Sequence, residues 1–325
     1  MSLGFLEYPS WLSPQIAEGL PIRWYGVMYL LAFATTFLLF RLEARRSGLT
    51  HDRDEIATFF YWVILGALLG GRLFYVFAFG DTMHFLRRPW LIVWPFQDGR
   101  FTGIQGMSYH GGFLGAVLGV VLFSIVKRVN VLDWGDTLAV ATPLGYTFGR
   151  VGNFINGELA GRVTTVSWGI VFPRSPRYSI EHGWVPDIVD ATGLTIPDGT
   201  VMVNLPRHPS QLYEALLEGV VLWLILWFVF RPKRPFPGGM IALYVAGYGL
   251  ARFLAEYFRA TDESVGFVVS GGRQLALPQF TTSVVHLTAG QLISLGMLTF
   301  GLVLFLVFRL MAPPDPVVET FDHTE

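Results

Sequence analysis

The 325-residue sequence contains no cysteine. That absence excludes disulfides, thiolate metal sites and a covalent cysteine intermediate, so any thiol chemistry must use a substrate's thiol. Charge is scarce too: Asp, Glu, Lys and Arg make up 14% of the chain, against roughly 25% in ordinary soluble domains. A net charge of −1 lacks the basic excess that nucleic-acid binding needs. Internal repeats and low-complexity tracts are missing. No cluster of His, Asp or Glu stands at ligand spacing, so neither a metal nor another cofactor is expected. The first 22 residues include Glu7, Glu18, Pro9, Pro14 and Pro21 and no basic region before an apolar run, which speaks against a cleavable signal peptide. The first apolar span is then expected to direct insertion.

Apolar residues are abundant instead. They make up 52% of the chain, with 28 Phe and 10 Trp, and the mean hydropathy is +0.49. Stretches approaching or exceeding the ~20 residues a bilayer-crossing helix needs recur at about 24–40, 57–79, 108–126, 136–153, 213–230, 238–257 and 288–308. Arg150 interrupts the fourth and Arg252 the sixth. The pattern predicts an all-α polytopic membrane protein with seven transmembrane helices, its termini on opposite sides. Arg41, Arg45, Arg46 and Arg53 follow span one, Lys127 and Arg128 span three, Arg231, Lys233 and Arg234 span five, and Arg309 span seven. Short basic loops mark the cytoplasm, so the N-terminus is expected outside and the C-terminus inside, although Arg87, Arg88, Arg100, Arg174 and Arg177 fall on the opposite face.

The largest segment outside the spans, 158–207, is expected to be a small external head of α/β or β-rich character, because Thr164 to Phe172 is rich in β-branched and aromatic residues and turn residues follow. A second external loop is expected at about 258–287. Gly66, Gly70 and Gly71 suit close helix packing.

Charged groups inside spans are costly and tend to mark sites. At 1.5 Å of rise per residue, Arg72, Arg150 and Arg252 lie about 21 to 22 Å from the cytoplasmic ends of their spans, and Tyr25, His110 and Glu214 about 24 to 26 Å. Six residues on six helices thus share the outer-leaflet level of a core about 30 Å thick. Singly, an arginine near a helix end can snorkel and a tyrosine can join the aromatic belt. Together they suggest a polar cavity with a surplus of guanidinium groups, which points to a phosphate ligand.

Arg150 and Asn153 share a helix face, and Asn156, Gly157, Glu158 and Gly161 follow where the chain leaves helix. Backbone amides there suit an anion or a hydroxylated headgroup, while a helix cap followed by turns accounts for Asn and Gly equally well. His110, followed by Gly111 and Gly112, is a candidate base open to close approach. Arg252, Glu256 and Arg259 share one face of span six; either they simply neutralise one another, or Glu256 orients one arginine while the other meets ligand. His208-Pro209-Ser210-Gln211-Leu212-Tyr213-Glu214 opens span five with Glu214 near the positive end of its dipole.

Through Arg23-Trp24-Tyr25-Gly26, Gly70-Gly71-Arg72, His110-Gly111-Gly112, the stretch Gly149 to Arg162, the His208 to Glu214 segment and Arg252 to Arg259, the chain resembles the bacterial prolipoprotein diacylglyceryl transferases over nearly its whole length. The resemblance implies an inner-membrane enzyme that transfers the diacylglyceryl group of phosphatidylglycerol to the lipobox cysteine in the signal peptide of a prolipoprotein. Glycerol 1-phosphate is released, in the first step of lipoprotein maturation. It also implies that Tyr25, His110, Arg150, Asn153, Glu158, Gly161 and Arg252 are essential, with Glu256 and Arg259 accessory. The expected catalytic set is His110, Arg150, Arg252 and Tyr25. Asn153, Glu158, Gly161, Asn156, Arg72, Glu256, Arg259 and Glu214 are expected to bind substrate. Two routes for the thiol proton stay open at this point, transfer to His110 or an arginine-assisted thiolate. A carrier of anionic headgroups would share a basic pocket but is expected to show repeats or broken helices near the midplane. A structural receptor would need no polar groups gathered at one depth.

Overall fold

The computed structural model describes residues 4–16, 22–80, 82–94, 96–97, 100–101, 106–233, 236–260, 266–269 and 286–312. Most of the second expected loop lies outside the described residues, at 261–265 and 270–285, as do Glu18, Pro21 and Arg234. Among the described residues, seven helices reach 18 residues or more. They are α1 (Trp24–Arg46), α2 (Arg53–Ala78), α3 (Tyr109–Lys127), α4 (Val131–Asn156), α5 (Ser210–Lys233), α6 (Gly239–Glu256) and α7 (Ala289–Met311). Five of them, α1, α2, α3, α5 and α7, are long and apolar enough to cross a membrane. In the other two the charged residues are Asp133, Asp136 and Arg150 of α4 and Arg252 and Glu256 of α6.

The chain divides into two compact units, Phe37–Leu138 on one side and Met1–Thr36 with Ala139–Glu325 on the other. In the first, α2 and α3 pack through glycine. A Cβ on Gly66 would overlap the Gly115 carbonyl oxygen, and one on Gly119 that of Trp62, so the backbones touch where only glycine fits. Toward the other end of this pair, buried Phe40, Phe59, Phe123 and Trp134 form an aromatic core with ring centroids 4.7 to 5.7 Å apart.

In the second unit, α6 packs on α7, where a Cβ on Gly249 would stand 2.6 Å from the Leu298 amide nitrogen. Helix α7 opens on a capping box between Thr288 and Gln291. Helix α5 widens into π-helical turns over Ala215–Val221 and Ile225–Phe230. The segment between α4 and α5 folds around Val163, Val185, Ile188 and Leu205, with Tyr178 and Trp184 against them. Its expected strand over Thr164 to Phe172 contracts to Ile170–Val171, which pairs in parallel with Leu6–Glu7. Tyr178–Ser179 pairs antiparallel with Met202–Val203. A helix, Val185–Thr192, stands where turns were expected, because Pro at its start and an apolar face over Val185 and Ile188 favour it.

Candidate active site

Arg150 and Asn153 occupy the last two turns of α4, Glu214 the first turn of α5, and Arg252 and Glu256 the last turns of α6, with Arg259 just beyond. All belong to one unit. Their centre is Glu214, whose side chain is fully buried. Its Oε2 lies 3.1 Å from Arg150 Nε and 2.9 Å from Arg252 Nη1, and its Oε1 accepts from Arg259 Nη1 at 2.9 Å. Glu256 Oε2 sits 3.0 Å from both Arg252 Nη2 and Arg259 Nε.

Two further residues join this cluster. Glu218, also fully buried, lies 3.5 Å from Arg252 Nη1 and accepts a hydrogen bond from the Tyr146 hydroxyl. That hydroxyl accepts in turn from Arg150 Nε. Neither residue was singled out in the sequence, although a carboxylate within an apolar span, one turn after Glu214, was a signal for Glu218. The cluster therefore holds Arg150, Arg252 and Arg259 against Glu214, Glu218 and Glu256, where a surplus of arginine was expected. Matching of this kind is what makes buried charge tolerable. Arg150 keeps reach beyond it: its side chain is 18% exposed, and among the described residues no hydrogen bond engages its two terminal nitrogens. A guanidinium presented edge-on in this way suits the oxygens of a phosphate.

Beside it, Asn153 Nδ2 donates to Glu158 Oε1 at 2.8 Å and to the Tyr25 hydroxyl at 3.5 Å. Asn156 Nδ2 donates to the same Glu158 oxygen at 3.4 Å, and Tyr29 donates to Tyr25 at 3.3 Å. These groups form a polar patch able to meet hydroxyls.

The turn after α4 is built by the protein for itself. Gly157 takes a left-handed conformation at φ 65°, as a helix C-terminus favours. The amides of Gly157, Glu158, Gly161 and Arg162 donate to the carbonyls of Phe154, Asn153, His208 and Phe258. They are therefore engaged, and the cap-and-turn reading accounts for this backbone. Tyr8 donates to the Phe154 and Ile155 carbonyls at 2.9 and 2.7 Å, and Arg174 to that of Asn156 at 3.2 Å, which satisfies the helix end. Gly161 is wedged: a Cβ there would overlap the Phe258 carbonyl oxygen and lie 2.8 Å from that of His208. This close approach lets Gly161 bridge to Arg259 and so sets where that arginine emerges.

Buried His208 packs on Tyr213 and Phe258. Its Nδ1 stands 3.3 Å from the Tyr213 hydroxyl, which accepts from Trp168 Nε1 at 2.7 Å. Burial first, and the nearby Arg162 guanidinium second, push the imidazole down to about 4, which favours its neutral form.

The remaining expected residues, Arg72 and His110, belong to the other unit. Arg72 is buried and donates from Nε to the Ile92 carbonyl at 2.6 Å, from Nη1 to Gly106 at 3.0 Å and from Nη2 to Leu91 at 2.9 Å. Its guanidinium thus ties the segment after α2 to the helix. His110 is exposed in the first turn of α3, where Ser108 caps the helix and the Tyr109 ring lies 5.9 Å away.

Residues 14–307 match the model of the family Prolipoprotein diacylglyceryl transferase. A phosphatidylglycerol–prolipoprotein diacylglyceryl transferase of Treponema denticola is 45% identical over 94% of this chain and 95% of its own length. Its counterparts in Treponema pallidum and Chlorobaculum tepidum are 42% and 41% identical, over 91% and 80% of this chain and 93% and 82% of theirs. The chain belongs to the prolipoprotein diacylglyceryl transferase family. With five helices fit to cross a membrane, this family member is a multi-pass membrane protein. Among the described residues no group of three His, Cys, Asp or Glu is placed to hold a metal; the cluster around Glu214 is built from ion pairs.

Proposed function

We propose that this chain transfers the diacylglyceryl group of phosphatidylglycerol to the lipobox cysteine thiol of a prolipoprotein signal peptide, forming a thioether and releasing glycerol 1-phosphate. Membership of the family and the names of its relatives support the reaction. The observation that carries the site is Arg150, anchored through Nε on Glu214 with its terminal nitrogens open. Arg150 and Arg252 hold the lipid phosphate and stabilise it as it leaves. His110 takes the proton of the incoming thiol. The thiolate sulfur then bonds to the glycerol carbon as the carbon–oxygen bond to phosphate breaks, the electron pair going to the phosphate. Tyr25, Asn153, Asn156 and Glu158 receive the hydroxyls of the headgroup glycerol. Gly161, Glu214, Glu256 and Arg259 complete the substrate-binding set, Gly161 and the acidic residues by placing the arginines, while Arg72 holds the segment after α2.

All seven long helices cross the bacterial inner membrane in this reading, α4 and α6 included, because Glu214, Glu218 and Glu256 offset the charges of Arg150 and Arg252. The N-terminus lies outside and the C-terminus inside, as the basic loops favour. The site faces the outer leaflet, and the segment at 158–207 forms an external head that receives the signal peptide.

Purified protein incubated with phosphatidylglycerol and a lipobox peptide should yield glycerol phosphate and a peptide heavier by one diacylglyceryl group. Lipid flux without product would favour a carrier and overturn the reading. Replacing His110→Gln should abolish turnover, and full turnover would remove the histidine from the scheme.

A further inference from the structure

Tyr146 stands four residues before Arg150 on α4, and Glu218 four residues after Glu214 on α5. Each pair shares a helix face. The two faces meet, Arg150 on Glu214 and Tyr146 on Glu218. The helices approach closely there, since a Cβ on Gly219 would overlap Thr147 Oγ1. Tyr146 touches both halves of the site: its hydroxyl donates to Glu218 and accepts from Arg150 Nε, while the Arg150 guanidinium lies 4.9 Å from the centroid of its ring. Glu218 then reaches Arg252 at 3.5 Å. Its side chain is 0% exposed, so it meets protein and no ligand.

A guanidinium held only by a carboxylate can swing about its stem. At Arg150 the Nε faces two acceptors, the Tyr146 hydroxyl and Glu214 Oε2, and its Cζ lies over the Tyr146 ring. Orientation is therefore set before any anion arrives, which is the condition for electrostatic stabilisation without reorganisation. We propose that Tyr146 and Glu218 are positioning residues for the transfer reaction, aiming the open edge of Arg150 and linking it to Arg252. They touch no substrate and act through the arginines. The proposal rests on reading Arg150 as a phosphate ligand.

The test is a double-mutant cycle on purified protein in detergent, read by retention of radiolabelled phosphatidylglycerol, with melting temperature as a control of folding. Tyr146→Phe removes the hydroxyl, and Glu218→Gln keeps the shape but replaces the carboxylate that serves both Tyr146 and Arg252 with an amide that has one acceptor oxygen. Each should weaken lipid binding about tenfold, whereas Tyr146→Phe made on top of Arg150→Lys should weaken it by less than about twofold further, because interacting residues are not additive. Equal factors in both backgrounds, or unchanged binding in both single variants, would overturn the proposal. If Arg150→Lys binds lipid like the parent, the reading of Arg150 falls and the positioning role with it. If Arg150→Lys loses binding while the other two retain it, only the positioning role falls. Should one of the two isosteric variants not fold, the other decides, and unfolding of both would make the pair structural and count against the proposal.

Discussion

Arg150 meets Glu214 through its Nε, 3.1 Å from the carboxylate oxygen, and thereby turns its terminal edge away from the ion pair. The same carboxylate holds Arg252 and Arg259. One buried acid thus organises three cations from two other segments, and its removal has consequences beyond a single bond.

Glu214→Gln keeps the shape of that side chain and removes its charge. Three guanidiniums then crowd around a neutral group, and breaking a buried pair from one side costs about 3–5 kcal/mol. The expected outcome is a large drop in melting temperature in detergent. A variant as stable as the parent would show that Glu218 and Glu256 suffice.

Gly161→Ala places a methyl group against the carbonyls of Phe258 and His208. Strain of this kind costs about 1–3 kcal/mol. Because Gly161 bridges to Arg259, turnover should fall more than stability does. Turnover assayed at a temperature where both proteins are folded separates the two effects.

Arg72→Met should act on stability. Three carbonyls, those of Leu91, Ile92 and Gly106, lose a charged donor, at a cost on the order of 3 kcal/mol. Thermal unfolding reads this directly. An unchanged melting temperature with weakened phosphatidylglycerol binding would instead make Arg72 a ligand of the lipid.

His208 carries a pH signature. Its folded value of about 4 lies below the ordinary value near 6.5, so the unfolded chain takes up the proton more readily. Its contribution is intact above about pH 6.5 and is lost as pH falls toward the folded value. Melting temperatures measured from pH 7 to pH 4.5 should fall in the parent and fall less in His208→Asn, where the side chain has no proton to gain. Parallel curves would show that His208 is charged in the folded protein.

Much of this site was legible in the chain itself. The 1.5 Å rise of a helix converts sequence position into depth, and so puts Arg150, Arg252 and Glu214 near one level, along with Arg72, Tyr25 and His110. The glycines at Gly66 and Gly70 announced a close helix contact, and the helices do meet there. The turn after α4 could be read two ways, because Asn and Gly serve an anion site and a helix cap alike. Which applies depends on where the Gly161 and Arg162 amides point, and the carbonyls they find belong to residues 208 and 258. Tyr146 was silent for a related reason, since an aromatic residue in an apolar span resembles its neighbours until its partner is known.

The sequence alone determined that this is a multi-pass membrane protein of the prolipoprotein diacylglyceryl transferase family, because run length, composition and motif order are properties along one dimension. Tertiary structure decided which charges neutralise which. It set Glu214 among three arginines, placed Glu218 and Tyr146 behind Arg150, and committed Arg72 to backbone carbonyls. Those pairings depend on how each helix is rotated about its own axis against its neighbours, which packing across dozens of intervening residues fixes and spacing along the chain does not.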